Sequence, residues 1–285
     1  MENVKIDLDG HSFDALAAGA KSGELVLLLH GFPEFSAIWD NELDSLAKAG
    51  FRALAVDQRG YSPSARPAAI EDYSIENMVS DSLGFADSQG ADRFHLIAHD
   101  WGAMVAWALA SAHPERILSI NILSTPHPLA LQNALKAGPE QHKMLSHVPF
   151  LRQRNGVPEA ALASDGGARI RQGYAGRMPR YLEDEIVRRL LEPGALAATL
   201  NWYRAIDEDL SVPAGRIAVP TLYIWGDEDS AYGRKAAEDT ARFIDAPYHF
   251  EILEGAGHWL PHESSETINK LLLSHVRENS ENQLK

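Results

Sequence analysis

The 285-residue chain is 45% hydrophobic and 23% charged, a composition that supports a sizeable core in one large domain or a domain with an insertion. Its 26 Lys and Arg against 40 Asp and Glu give a net charge of −14, which repels phosphate backbones and anionic membranes and serves solubility. The absence of cysteine excludes disulfides, thiolate metal sites and cysteine nucleophiles.

Residues 1–7 alternate polar and apolar side chains and lack the apolar stretch of a signal peptide. Apolar runs such as Leu25-Val26-Leu27-Leu28-Leu29 are too short to span a bilayer. A soluble cytoplasmic protein is expected. Continuous apolar runs of strand length mark residues 25–29, 53–56, 94–98, 117–123 and 221–225, as in strands buried on both faces. Between them, helical spacing is clear over 74–88 and 103–112. This alternation predicts an α/β fold, a mostly parallel sheet with helices on both faces.

The rhythm stops after Thr125-Pro126-His127-Pro128. From there to Val212 the sequence offers helical stretches, among them 180–191 and 194–206, and no strand; alternation resumes at Val219-Pro220. The predicted organisation is a core of residues 1–128 and 213–285 carrying a helical insertion, 129–212. The polar end, 278–285, is expected to fray.

The chemistry centres on Ala98-His99-Asp100-Trp101-Gly102, which follows an apolar strand and opens a helix. That is the setting of a nucleophile elbow, a turn tight enough to need small residues two before and two after the nucleophile. Ala98 and Gly102 meet the need, with Asp100 where the serine form has Ser. Taken alone, an Asp opening a helix is more often an N-cap. Three further segments change that. His30-Gly31-Phe32-Pro33-Glu34 follows an earlier strand, where the amide N–H groups of Phe32 and Trp101 would form an oxyanion hole. Gly226-Asp227-Glu228-Asp229 and Gly255-Ala256-Gly257-His258-Trp259 follow later strands. Nucleophile, acid and histidine thus occur in α/β-hydrolase order.

These segments, with Asp57-Gln58-Arg59-Gly60-Tyr61 and Asn201-Trp202-Tyr203-Arg204-Ala205, resemble the α/β-hydrolase-fold epoxide hydrolases. The related haloalkane and haloacetate dehalogenases share several of them. The resemblance covers nearly the whole chain and implies that the insertion is a helical cap over the active site. It implies His258 as base and Asp229 as acid, three residues after Gly226, with Asp227 as the alternative. It also places Trp101, His147, Tyr203 and Trp259 at the substrate, Tyr203 being the acid that protonates a ring-opening epoxide oxygen. The family's second cap tyrosine is missing: the corresponding stretch reads Leu145-Ser146-His147-Val148-Pro149-Phe150, where His147 or Val148 falls closest.

An aspartate suits this chemistry. A serine that attacked saturated carbon would form an ether, which activated water cannot cleave, whereas a carboxylate forms a hydrolysable ester. The expected reaction is therefore epoxide opening to a diol through an ester on Asp100, hydrolysed by water that His258 and Asp229 activate. The alternative is a haloalkane or haloacid dehalogenase using the same nucleophile. Trp101 would then supply one halide donor and Trp202 is a second candidate, with packing the commoner role. A haloacetate substrate is disfavoured, because Trp101 and Met104 stand where those enzymes carry arginines. A non-catalytic binding homologue is a third reading, which the intact triad residues disfavour. No metal or organic cofactor is expected. Expected partners are a small apolar substrate, epoxide or haloalkane, with neither nucleic acid nor membrane; a homodimer is the one assembly left open.

Overall fold

All five aliphatic side chains of Leu25–Leu29 are buried in the computed structural model. Because a strand points alternate side chains to opposite faces, such a run needs a sheet covered on both sides. The structure, described for residues 1–207 and 210–280, supplies one. Its strands are β1 (Glu2–Leu8), β2 (His11–Ala18), β3 (Leu25–Leu29), β4 (Arg52–Val56), β5 (Phe94–His99), β6 (Ile117–Leu123), β7 (Thr221–Gly226) and β8 (Tyr248–Leu253). They form one sheet in the order β1-β2-β4-β3-β5-β6-β7-β8. From β4 to β8 all neighbours are parallel, while β1 and β2 form an antiparallel edge hairpin. The alternation at residues 1–7 belongs to β1. Neither hairpin strand is aliphatic along its length, and in β2 burial alternates from Phe13 to Ala17, because an antiparallel edge buries only one face well.

The helices are α1 (Asp40–Lys48), α2 (Ile75–Ser88), α3 (Trp101–Ala112), α4 (Pro128–Ala137), α5 (Pro139–Met144), α6 (Val148–Leu151), α7 (Val157–Gly173), α8 (Arg180–Leu190), α9 (Ala195–Ala205), α10 (Arg234–Asp239), α11 (Leu260–Glu263) and α12 (Ser265–Glu278). Ser74 starts α2 as its N-cap, accepting from the Asn77 amide. Helix α3 is buried on nearly every side from Trp101 to Ala110, as its lack of polar residues requires. Helix α7 is broken by non-helical backbone at Ser164, Asp165, Gly166 and Gly167. Among the described residues, all regular structure between β6 and β7 is helical, and no helix is long and apolar enough to cross a membrane. The polar end beyond Ser280 lies outside the described residues.

Two features of this topology position the site. The chain runs from β3 out to β4, then returns past β3 to β5. Loops leaving the carboxyl ends of β3 and β5 diverge and open a crevice between them. The helices between β6 and β7 are tied over the core. Trp202 Nε1 donates to the Arg59 carbonyl at 2.7 Å, and Tyr174 Oη donates to the Pro33 carbonyl at 2.8 Å. Arg189 pairs with Asp57 at 2.6 Å while its guanidinium lies 3.9 Å from the Phe35 ring centre.

One buried group works against stability. Glu42 on α1 is fully buried; one carboxyl oxygen accepts from Asn269 of α12 at 3.2 Å and the other has no partner. Burial pushes its pKa from 4.5 up to about 8. A carboxyl raised in this way contributes most at low pH, and stability falls as the unfolded chain ionises first. Relative to Glu42→Gln, the native protein should lose stability between pH 4.5 and about 8 and level off above. Urea unfolding across that range checks this, and parallel curves for the two proteins would contradict it.

Candidate active site

Strand β5 ends at His99 and α3 begins at Trp101, so Asp100 makes the whole turn, with φ 50° and ψ −121°. A non-glycine residue takes such a conformation at a cost of about 1–3 kcal/mol. The neighbours explain how it is tolerated. A Cβ on Gly102 would lie 2.4 Å from the Leu29 carbonyl oxygen, and one on Gly31 would lie 2.2 Å from Asp100 Oδ1. Both approaches require glycine. Asp100 stands at the N-cap position of α3 but caps nothing in that helix. Its Oδ1 accepts instead from the Phe32 amide, at 2.8 Å, across the crevice from β3. The helix-cap alternative therefore fails on geometry.

The loops after β7 and β8 bring Asp229 and His258 to the same place. His258 Nε2 lies 3.6 Å from Asp100 Oδ2, and His258 Nδ1 lies 3.2 and 3.3 Å from the two oxygens of Asp229. Asp229 Oδ1 also accepts from the amides of Ala231 and Tyr232, at 2.7 and 3.0 Å. Asp227, the alternative acid, accepts from the exposed Gly255 amide instead. A third group joins the pair: Ser124, at the end of β6, donates to Asp229 Oδ2 at 2.6 Å and lies 2.8 Å from His258 Nδ1.

Burial and charge compete at all three titratable groups. Burial pushes Asp100 up, yet the hydrogen bond and charge of His258, with help from His99 and the Phe32 amide, bring it below the ordinary aspartate value. Burial likewise opposes ionisation of Asp229, and His258, Ser124 and the Ala231 amide outweigh it. For His258, burial works downward, but Asp229 and Asp100 hold it well above the ordinary histidine value.

Beneath them lies a buried ion pair. His99 Nδ1 is 2.8 Å from Glu34 Oε2, and His99 Nε2 is 2.8 Å from the His258 carbonyl oxygen, with both side chains fully buried. The carbonyl can only accept, so Nε2 carries hydrogen and one further proton lies between Nδ1 and Glu34. Burial raises Glu34, but the charge and hydrogen bond of His99 pull it below its ordinary value, so the carboxylate form prevails. The pair joins the β3 loop, the end of β5 and the β8 loop.

Asp100, Trp101, His147 and Tyr203 line one cavity of about 30 Å³, with Tyr232 and the apolar Met104, Leu145, Val148, Ile206, Leu210 and Ala231. That space holds a water or two. Leu145, Val148 and Leu210 also line a neighbouring cleft of about 770 Å³, so these three side chains separate the buried chemistry from an open surface. Tyr203 packs edge-on against Trp101 and Phe32, with ring centres 4.9 and 5.3 Å apart. His147 borders the cavity yet exposes its outer side to solvent. Trp259 does not line the cavity: its ring centre lies 4.8 Å from that of His258, and its indole N–H donates to the Gly173 carbonyl.

The sequence reading assigns no role to Glu34, His99, Ser124 or Tyr232. His99 was visible as an ionisable residue ending an apolar strand, and Glu34 as one in the loop that follows another, where a buried charge demands a partner. Tyr232 lies three residues beyond Asp229, close enough to be suspected. Ser124 carries no local signal.

Comparison with known proteins agrees with this architecture. A family model described as the alpha/beta hydrolase fold matches residues 24–265. An AB hydrolase superfamily protein, YfhM, of Bacillus subtilis is 34% identical over 97% of this chain and 99% of its own. Epoxide hydrolase A of Mycobacterium tuberculosis is 32% identical over 94% of this chain and 95% of its own. The crystal structure of epoxide hydrolase A from Mycobacterium thermoresistibile superposes with a TM-score of 0.85 at 26% identity, covering 97% of this chain and 98% of that one.

The elbow makes its own prediction. Gly→Ala inside a helix ordinarily stabilises, but Gly102→Ala should destabilise by about 1–3 kcal/mol through overpacking. Calorimetry checks it, and a raised Tm would show that the approach to Leu29 is less tight than described.

Proposed function

This chain belongs to the α/β-hydrolase family, among its epoxide hydrolases, and we propose that it opens epoxides to vicinal diols through a covalent ester on Asp100. The observation that carries this reading is a carboxylate at the elbow, with one oxygen on the Phe32 amide and the other facing His258. In the first step Oδ2 attacks a ring carbon from within the cavity. The carbon–oxygen bond of the ring breaks, and Tyr203 gives its proton to the departing oxygen. Oδ1 becomes the carbonyl oxygen of the ester and stays on the Phe32 amide.

The second step returns the enzyme. With Asp100 ionised, two carboxylates hold His258 protonated; esterification removes one of those charges and lowers the His258 pKa. His258 gives up its Nε2 proton, which restores the Tyr203 hydroxyl by way of solvent. It then takes a proton from water at Nε2, with Asp229 behind it, and the water attacks the ester carbon. The oxyanion develops on Oδ1, and the amides of Phe32 and Trp101 are the donors we assign to it. Collapse expels the diol, protonated by His258, and leaves a solvent oxygen in the Asp100 carboxylate. His147 on the cap side and Tyr232 on the core side are the other polar side chains of the cavity. The rest of the lining is apolar, which supports a small apolar epoxide as the substrate once the cavity has widened to admit it.

The dehalogenase alternative needs indole N–H groups to solvate a halide. Trp202 cannot supply one, because its N–H is committed to the Arg59 carbonyl at 2.7 Å. Trp101 alone remains.

Single turnover of an epoxide in ¹⁸O-water should place label in the Asp100 peptide, and turnover without label there would exclude the ester. His258→Gln should still alkylate and accumulate the ester, visible as a stoichiometric mass increase. In the native protein the ester should accumulate as pH falls, because His258 is protonated while Asp100, with its depressed pKa, stays ionised. Tyr203→Phe should slow alkylation by about 10²–10⁴-fold, the range for general acids; an unchanged burst would remove Tyr203 from the mechanism.

A further inference from the structure

Ser124 directly follows β6 with φ 70°, a left-handed conformation uncommon for residues other than glycine. The Thr125 amide donates to the Leu123 carbonyl at 2.8 Å, so Ser124 is the centre of a three-residue turn of the rarer, strained kind. The turn is pinned on both sides. The Ser124 amide donates to the Ile224 carbonyl at 2.8 Å, and Tyr223 Oη donates to the Ser124 carbonyl at 2.8 Å. Glycine would adopt this backbone without strain. What serine adds is a fully buried hydroxyl, whose hydrogen-bond partners among the described residues are Asp229 and His258.

Its two contacts fix its proton. Asp229 can only accept, so the Ser124 hydroxyl donates to Oδ2, at 2.6 Å, and its lone pairs face His258 Nδ1. The serine oxygen, at 2.8 Å, is closer to Nδ1 than either Asp229 oxygen, at 3.2 and 3.3 Å. We propose that Ser124 is a positioning residue of the hydrolytic half-reaction: it bridges acid and base, holds hydrogen on His258 Nδ1, and so leaves Nε2 for the water. The catalytic part of this rests on the ester mechanism above; the bridge itself does not.

The bridge also moderates the base. By taking up part of the Asp229 charge, the hydroxyl weakens the direct carboxylate–imidazolium attraction that would make His258 reluctant to release a proton. The other groups facing His258 are Asp100 and His99 from β5 and its turn, Tyr232 from the β7 loop and His147 from the cap side. Among the described residues, the hydrogen bonds at Nδ1 are those with Ser124 and Asp229.

Two variants separate hydroxyl from turn. Ser124→Ala removes the hydroxyl and keeps the strain; Ser124→Gly removes the hydroxyl and relieves the strain, so it folds even if alanine does not. Nitrogen-15 NMR of the substrate-free protein should show a displaced Nδ1–H signal and a raised His258 pKa in both. In single-turnover kinetics both should hydrolyse the Asp100 ester about tenfold more slowly, the size of one hydrogen bond to a charged group, with alkylation unchanged. The acid limb of ester hydrolysis should move to higher pH with the His258 pKa. Ser124→Gly matching the native protein in Nδ1–H signal, His258 pKa and hydrolysis would reduce Ser124 to a turn former and overturn the proposal. If no ester forms even in the native protein, the mechanism falls while the NMR result still decides the bridge.

Discussion

Asp100 turns the chain from β5 into α3 with a backbone that only close packing can hold. Gly102 lets the helix approach the β3 backbone, and Gly31 lets the β3 loop approach the carboxylate. The Phe32 amide then reaches Oδ1 at 2.8 Å, and the other oxygen is left facing His258. A Cβ at either glycine would push the two loops apart. The crevice between β3 and β5 would exist in any sheet of this strand order; what makes it chemical is that a carboxylate is strained into it.

Packed around that turn are three carboxylates, Asp100, Asp229 and Glu34, and two histidines, His99 and His258, all buried. Such a cluster is stable only if each charge has partners. Each has: Glu34 pairs with His99, His99 with the His258 carbonyl, and His258 with Asp229, Ser124 and Asp100. The arrangement carries one more carboxylate than imidazole, and Asp229 and Asp100 hold His258 well above the ordinary histidine value. An ester at Asp100 would equalise the count, so the proposed covalent step itself prepares the base for the next one.

The helices between β6 and β7 close this cluster from water. They are tied down by side chains whose polar ends find core partners: Trp202 on the Arg59 carbonyl, Tyr174 on the Pro33 carbonyl, Arg189 on Asp57. The cost of so close a fit is space, since about 30 Å³ holds no organic substrate. Leu145, Val148 and Leu210 stand between that cavity and the cleft outside.

Much of this was legible in residue order, because it rests on local rules. Aliphatic runs such as Leu25–Leu29 dictated buried parallel strands, the edge hairpin being lost because it buries one face only. Small residues around Asp100 announced a tight turn, and strand-end positions marked Phe32, Asp229 and His258. Tyr203, which the resemblance singled out, lines the cavity beside Asp100. Trp259 shows the limit: next to His258 in sequence, it turns to buttress the histidine and bond Gly173 rather than line the cavity. Glu34 and His99 were present as letters without roles, and Ser124 was invisible, since its partners lie 105 and 134 residues away. Sequence by itself determined the parallel strands at the centre of the sheet, the turn and the presence of a carboxylate rather than a hydroxyl at its tip, all of which depend on neighbours within a few residues. Only the tertiary structure decided whether Asp100 caps its helix or faces a histidine, because that choice belongs to the Phe32 amide brought in across 68 residues.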